Sequence, residues 1–194
     1  AVGDFFCLAM SAAVKAPARV FVPTAKSDRF QAHIGAELFF IERWVSLIFP
    51  RDTETTDSLK HTGVPVTYAG NLMMDCLDGS GRVTVPKLAR YVVGLLPGSR
   101  HEAYDNLKLI KATMDDLLLW QMPLHFLMAV PKTLDLKKVK QLLGTRYPIA
   151  IVQGNFRGVI DASDVILGFA GTANEQAVGL GKAVVTMPGA GPQT

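Results

Sequence analysis

Three short stretches of the sequence carry residue types that could hold a phosphorylated ligand. In "VVGLLPGSRH" (residues 92–101) an apolar run ends in Pro97-Gly98-Ser99-Arg100, and a helical pattern begins near Glu102. A turn that feeds a helix leaves the first N–H groups without partners, and the helix dipole favours an anion there by roughly 0.3–1 kcal/mol. The guanidinium of Arg100 can add a forked, charge-assisted contact to phosphate. The plainer alternative is a surface arginine that pairs with Glu102.

In the second stretch, "GFAGTANEQAVGLG" (residues 168–181), Gly171 and Thr172 open another helix behind a buried strand. Glu175 falls in its first turn, where a carboxylate complements the dipole for structural reasons alone; its functional reading is to accept hydrogen bonds from the two ribose hydroxyls of a nucleotide. The third is "VQGNF" (residues 152–156), where Gly154, Asn155 and Phe156 could bring backbone groups up to a flat base, or form an ordinary turn with a core phenylalanine. Other chemistries find no residues. No GxGxxG follows a strand, and there is neither a Walker A run nor a GxSxG. His33, His61, His101 and His125 show no metal-ligand spacing, and no Asp-x-Asp offers a divalent metal to a diphosphate. If a diphosphate is held here, N–H groups and Arg100 must neutralise it, and no metal or other cofactor is expected.

Such residues need a scaffold that brings strand ends together. The recurring unit is strand, short polar or Gly/Pro loop, helix. "ARVFVPT", "VSLIFP" and "VPVTYAG" (residues 64–70) read as strands, and "DTETTDSLKHTG" as a short helix capped by Asp52 and stopped by Gly63. "SGRVTVPKLAR" reads as a linker or edge segment, with an interior proline. Beyond it the alternation is strict. Strands "YVVGLLP", "LHFLMAVP", "IAIVQGNF", "DVILGFAG" and "KAVVTMPG" are separated by helical stretches, the longest with apolar residues at Leu107, Ile110, Met114, Leu117 and Leu118. Continuous apolar strands between helices predict an α/β fold with parallel, doubly wound sheets, in which ligands bind at the carboxyl ends of the strands.

The bulk numbers fit one or two such domains. The chain has 194 residues, 49% hydrophobic and 19% charged, enough apolar material for a sizeable core. A net charge of +3, with Lys and Arg scattered, gives no footprint for nucleic acid. Cys7 and Cys76 lie far apart, which suits a reducing, cytoplasmic setting, and no apolar run is long enough to span a membrane. The first and last residues read as cut from a longer chain. A join near Trp44-Val45, where a helical run meets a strand-like run with no Gly, Asn, Pro or Asp between them, reads as a place where residues are missing.

The segments "FPRD" (residues 49–52), "VPVTYAGNLMMD" (64–75), "LLPGSR" (95–100) and "ASDVILGFAGTANEQAVGLGKAVVTMPG" (162–189) together resemble the GT-B glycosyltransferases. Within them they are most similar to the lipid-A-disaccharide synthase family and its synthase-related branch, which the closing "PGAGPQT" suits better. The resemblance implies two Rossmann-like domains facing a cleft. Residues 1–78 would be the latter part of the acceptor-side domain, and 79–194 most of the domain that binds the nucleotide-sugar donor. It implies a UDP-sugar donor and a glycolipid or sugar acceptor, with peripheral membrane contact at the cytoplasmic side of the inner membrane. Arg100 falls on the family's donor-diphosphate contact; Gly171, Thr172 and Glu175 fall on its donor-binding block. Asp4 lies near the family's catalytic aspartate, where an aspartate at a strand end also serves simply to cap the next helix.

The mechanism so implied has an acceptor hydroxyl attacking the anomeric carbon while a carboxylate takes its proton. UDP leaves with developing negative charge, met by N–H groups at two neighbouring strand-to-helix turns and by Arg100. That reading requires Arg100 and Glu175 to face a common hollow on one side of the sheet. Two alternatives share the donor site: an isomerase like the UDP-N-acetylglucosamine 2-epimerases, which have the same fold, and a sugar-nucleotide-binding module without catalysis.

Overall fold

The computed structural model describes residues 1–189 except 25, 30, 78 and 80. Of the "PGAGPQT" segment, residues 190–194 lie outside the described residues. Two compact units are present, Ala1–Cys76 and Leu77–Thr194.

The first unit holds β1 (Val2–Gly3), α1 (Phe5–Ala12), β2 (Val20–Pro23), α2 (Gly35–Trp44), β3 (Leu47–Ile48) and α3 (Thr53–Leu59). The strands form a parallel sheet in the order β1-β2-β3, with Val2 opposite Val22 and Val20 opposite Leu47. Leu8, Phe21, Ile41, Val45, Ile48, Leu59 and Val64 bury themselves between this sheet and its helices. As expected, Asp52 caps α3 by accepting from the Thr55 N–H at 2.7 Å, and Gly63 ends the following turn in the left-handed region.

One expectation is corrected here. Residues 64–70 do not make a full strand: a single parallel bridge joins Ile48 to Val66, and Pro65, which has no N–H to donate, gives only its carbonyl to Ile48. At Trp44-Val45 the helix ends without a local stop residue. Val45 leaves α2 directly in extended conformation. The guanidinium of Arg19 covers the exposed carbonyl of Trp44 at 3.1 Å while also bonding to the carbonyls of Ser11 and Val14 behind α1. One side chain thus satisfies the carboxyl ends of two helices, work that the sequence reading assigned to local stop signals.

The second unit holds β4 (Tyr91–Leu96), α4 (Ala103–Leu119), β5 (Leu124–Val130), α5 (Leu136–Leu143), β6 (Ile149–Gln153), α6 (Phe156–Ala162), β7 (Val165–Phe169), α7 (Thr172–Gly179) and β8 (Ala183–Met187). Its five strands are all parallel and run β6-β5-β4-β7-β8 across the sheet. Alternate residues of each strand serve opposite faces. Val93, Leu95, Phe126 and Met128 meet Leu107, Ile110 and Met114 of α4 and Val139 and Leu143 of α5 on one face. Val92, Leu96, Leu127 and Ile166 meet Val159 and Ile160 of α6 and Ala177 of α7 on the other. Both faces of the central strands are covered, which is why they read as unbroken apolar runs. Full burial of such side chains is worth about 1.5–3 kcal/mol each, enough to fix their register. Residues 81–89 form no helix or strand, though Val83 and Val85 pack against the second face. Among the described residues, no helix is long and apolar enough to cross a membrane.

Candidate functional site

The two turns singled out by sequence leave adjacent strands. β4 and β7 pair in parallel with Leu96 opposite Gly168, so Pro97-Gly98-Ser99-Arg100 and Ala170-Gly171 emerge side by side at the carboxyl edge of the sheet. Chain order runs outward from this pair in both directions, β4 to β5 to β6 one way and β7 to β8 the other. Such a reversal is where open α/β sheets place their ligand crevice. α4 packs on one face of the sheet and α7 on the other. Arg100 and Glu175 therefore sit at the starts of helices on opposite faces and share an edge of the sheet, not a face. The expectation that they lie on one side of the sheet is contradicted; what they share is the carboxyl edge of two neighbouring strands. At a switch point the diverging helices are what open the crevice.

The helix starts at this edge differ from their neighbours. α1, α3, α5 and α6 are each closed by a side chain, from Asp4, Asp52, Asp135 and Asn155. α4 and α7 have no side-chain cap, a feature they share with α2 of the first unit. Among the described residues, no group accepts from the backbone N–H of Gly98, Ser99, Arg100 or Gly171. The carbonyls of the first turn are engaged instead: Asn106 Nδ2 donates to the Pro97 oxygen at 3.0 Å, and Thr133 Oγ1 to the Ser99 oxygen at 2.8 Å. Gly98 has φ of +102°, a conformation a side chain would strain. Arg100 is exposed and forms no ion pair with Glu102 or any other described residue, so the plainer reading of it does not hold. Thr172 and Glu175 are both exposed in the first turn of α7.

The other sequence candidates are used structurally. Asn155 Oδ1 accepts from the Gly158 N–H at 3.0 Å and its Nδ2 donates to the Gly81 carbonyl at 2.8 Å. Its amide therefore closes α6 and ties Gly81 to the start of that helix. Phe156 packs half-buried against the second face of the core, and Gly154 forms a left-handed turn (φ +72°). In the first unit Asp4 follows β1 at the carboxyl edge and accepts from the Cys7 N–H at 3.1 Å, as a cap. Its carboxylate is exposed.

Sequence reasoning passed over three polar residues beside the crevice: Asn106, Thr133 and Asn174. Asn106 interrupts the apolar stripe of α4, and that mismatch was the available signal. Asn174, buried in the first turn of α7, donates to Thr186 Oγ1 at 3.1 Å while its Oδ1 is buried without a partner. A similar signal was overlooked in the first unit, where the buried Asp28 carboxylate holds His33 through Nδ1 at 2.5 Å and through its backbone N–H at 3.0 Å. A hollow of about 350 Å³ beside α4 is lined by Asp105, Asn106, Lys108, Leu109, Pro188 and Gly189. No group of three or more His, Cys, Asp or Glu residues able to hold a metal occurs among the described residues.

No family model matches the chain. It is similar to a lipid-A-disaccharide synthase of Alteromonas mediterranea, 28% identical over 144 residues, which is 68% of this chain and 37% of the relative. The match thus spans little more than a third of the relative's length. Among solved structures it resembles a UDP-GlcNAc 2-epimerase from Methanocaldococcus jannaschii (TM-score 0.52, 15% identity, 95% of this chain and 59% of that one). The S. aureus MnaA–UDP co-structure gives a TM-score of 0.52 at 14% identity, covering 87% of this chain and 50% of that one. A glycotransferase of kitacinnamycin gives 0.53 at 12% identity, covering 90% and 52%. The fold is therefore the Rossmann-like, parallel α/β type shared by these glycosyltransferases and epimerases.

Proposed function

We propose that the chain is part of a glycosyltransferase that moves a hexosyl group from a UDP-sugar to a sugar acceptor carried on a lipid. The observation that carries this reading is the pair of uncapped helix starts on adjacent parallel strands at the switch point of the second unit. The N–H groups of Gly98, Ser99 and Arg100, with the Arg100 side chain, take the diphosphate on the β4 side. Gly171 and Thr172 take it on the β7 side, and Glu175 accepts from the ribose hydroxyls. The UDP in the S. aureus co-structure and the synthase likeness support this choice of donor.

In the reaction, an acceptor hydroxyl oxygen forms a bond to the anomeric carbon as the bond from that carbon to the diphosphate oxygen breaks. The electron pair of the broken bond leaves with UDP, and a carboxylate accepts the hydroxyl proton. Preformed N–H donors and a guanidinium favour the leaving diphosphate more as its charge grows, which lowers the barrier without a metal. Asp4 is the candidate for the proton-accepting carboxylate; capping α1 occupies one of its oxygens. Action on a lipid-linked acceptor places the work at the cytoplasmic surface of a membrane.

The structural likeness to UDP-GlcNAc 2-epimerases favours a second reading, in which the same donor site serves isomerisation. Incubation of the protein with sugar-labelled UDP-diacylglucosamine and diacylglucosamine 1-phosphate, and separately with labelled UDP-GlcNAc, separates the two. A labelled disaccharide with release of UDP supports transfer. A labelled epimer from UDP-GlcNAc overturns transfer in favour of isomerisation, and recovery of both donors unchanged overturns both.

A further inference from the structure

We propose that Asn106 and Thr133 are positioning residues, which aim the N–H groups of the β4–α4 turn at the ligand's phosphates by drawing the turn's carbonyls away. The inference rests on the diphosphate reading above. All described peptide bonds are trans, so each carbonyl points opposite to the N–H of the residue that follows it. The Pro97 carbonyl turns inward to Asn106 Nδ2, which sends the Gly98 N–H outward. The Ser99 carbonyl turns to Thr133 Oγ1, which does the same for the Arg100 N–H. These carbonyls flank Gly98 and Ser99, the two residues at the tip of the turn.

Asn106 is the stronger of the two ties. It is only 6% exposed and lies within the stripe Ala103, Leu107, Ile110 and Met114, where an apolar side chain would serve packing better. A buried amide is destabilising unless its hydrogen bonds are made, so its place in this stripe is explained by what it holds. Its orientation is fixed as well. The Pro97 oxygen requires the Nδ2 side, and the Oδ1 side abuts Gly189, where an added Cβ would lie 2.8 Å away. Thr133 comes from the loop after β5, so the turn is held from its own helix and from the neighbouring strand's exit.

Binding of UDP and of uridine, followed by amide chemical-shift titration, tests the assignment. Asn106→Leu should weaken UDP about tenfold and Thr133→Val about threefold, with uridine affinity unchanged, since uridine has no phosphate for the turn to hold. Thr133→Ser, which keeps the hydroxyl, should restore wild-type UDP affinity. A purely structural role would lower UDP and uridine binding together, and that result overturns the proposal. So does unchanged UDP affinity in Thr133→Val, an exposed position that stays testable even if Asn106→Leu does not fold. Wild-type protein that binds no UDP removes the diphosphate reading and this inference with it. Wild-type protein that binds UDP as tightly as both variants removes the inference alone.

Discussion

Leu96 of β4 and Gly168 of β7 are register partners on adjacent parallel strands, and Gly168 is also the surface against which Asn174 of α7 rests. An ideal Cβ on Gly168 would lie 2.1 Å from Asn174 Oδ1 and 3.3 Å from Leu96 Cβ. The amide cannot easily yield, because its Nδ2 is held by Thr186 Oγ1 at 3.1 Å. Gly168→Ala should therefore destabilise the second unit by about 1–3 kcal/mol, as overpacking does. Urea unfolding of Gly168→Ala, Asn174→Ala and the double variant checks this: the second change should relieve the first. Simple additivity would show that Asn174 is not the obstacle.

Arg100 makes a contrasting case. It is exposed and without an ion-pair partner among the described residues, so truncation removes nothing the fold uses. Arg100→Ala should leave the unfolding midpoint within error and weaken UDP binding about tenfold or more, the scale of one charge-assisted hydrogen bond. The loss should shrink as salt rises. Calorimetric titration at two ionic strengths measures it, and a lower midpoint with unchanged UDP affinity would return Arg100 to a structural role.

What the sequence disclosed and what it hid divide along a physical line. The five apolar runs of the second unit are buried on both faces, and their period and punctuation are local properties, so strands and helices could be placed nearly to the residue. Gly98 and Gly171 were legible for the same reason, because each lies where a strand must turn into a helix. The long-range ties were not legible. Arg19 reaches the ends of α1 and α2 from outside both, and Thr133 reaches Ser99 from the next strand's exit loop. Gly154, Asn155 and Phe156 read as backbone that could approach a base or as an ordinary turn, and the sequence left the two open. The structure adds what the sequence did not show, that the Asn155 amide bonds to Gly158 and Gly81.

The first unit should lose stability in acid through Asp52. Burial by itself raises its carboxyl, but the hydrogen bonds from Ser27 and from the Thr55 N–H and hydroxyl, with the Arg51 charge nearby, outweigh it and hold the group below the usual carboxylate range. A folded-state value below the unfolded one means that stabilisation is complete above about pH 3.9 and disappears as the pH falls through the folded value. Asp52→Asn keeps a cap acceptor but cannot titrate. The stability gap between wild type and Asp52→Asn, measured by urea unfolding, should be present at pH 7 and close as the pH falls through the carboxyl's lowered folded-state value. A gap that persists there would mean the carboxylate's charge is not what Thr55 and Ser27 recognise.

Asp4 can be separated from its own capping role by one substitution. Asparagine caps a helix about as well as aspartate, because both offer an oxygen to the N–H three residues on. The bond from the Cys7 N–H, 3.1 Å long in the wild type, should thus survive in Asp4→Asn, and the unfolding free energy should change by no more than about a few tenths of a kcal/mol. An amide cannot accept the acceptor hydroxyl's proton. If Asp4 is the base, transfer from UDP-diacylglucosamine should fall by about 10²–10⁴-fold, the usual contribution of general base catalysis, while UDP affinity stays unchanged. Both halves of that result are needed. A stable, UDP-binding Asp4→Asn protein with wild-type turnover would leave Asp4 only as the cap of α1, and the buried Asp28–His33 pair at the exit of β2 would become the next place in the first unit to look for a proton acceptor.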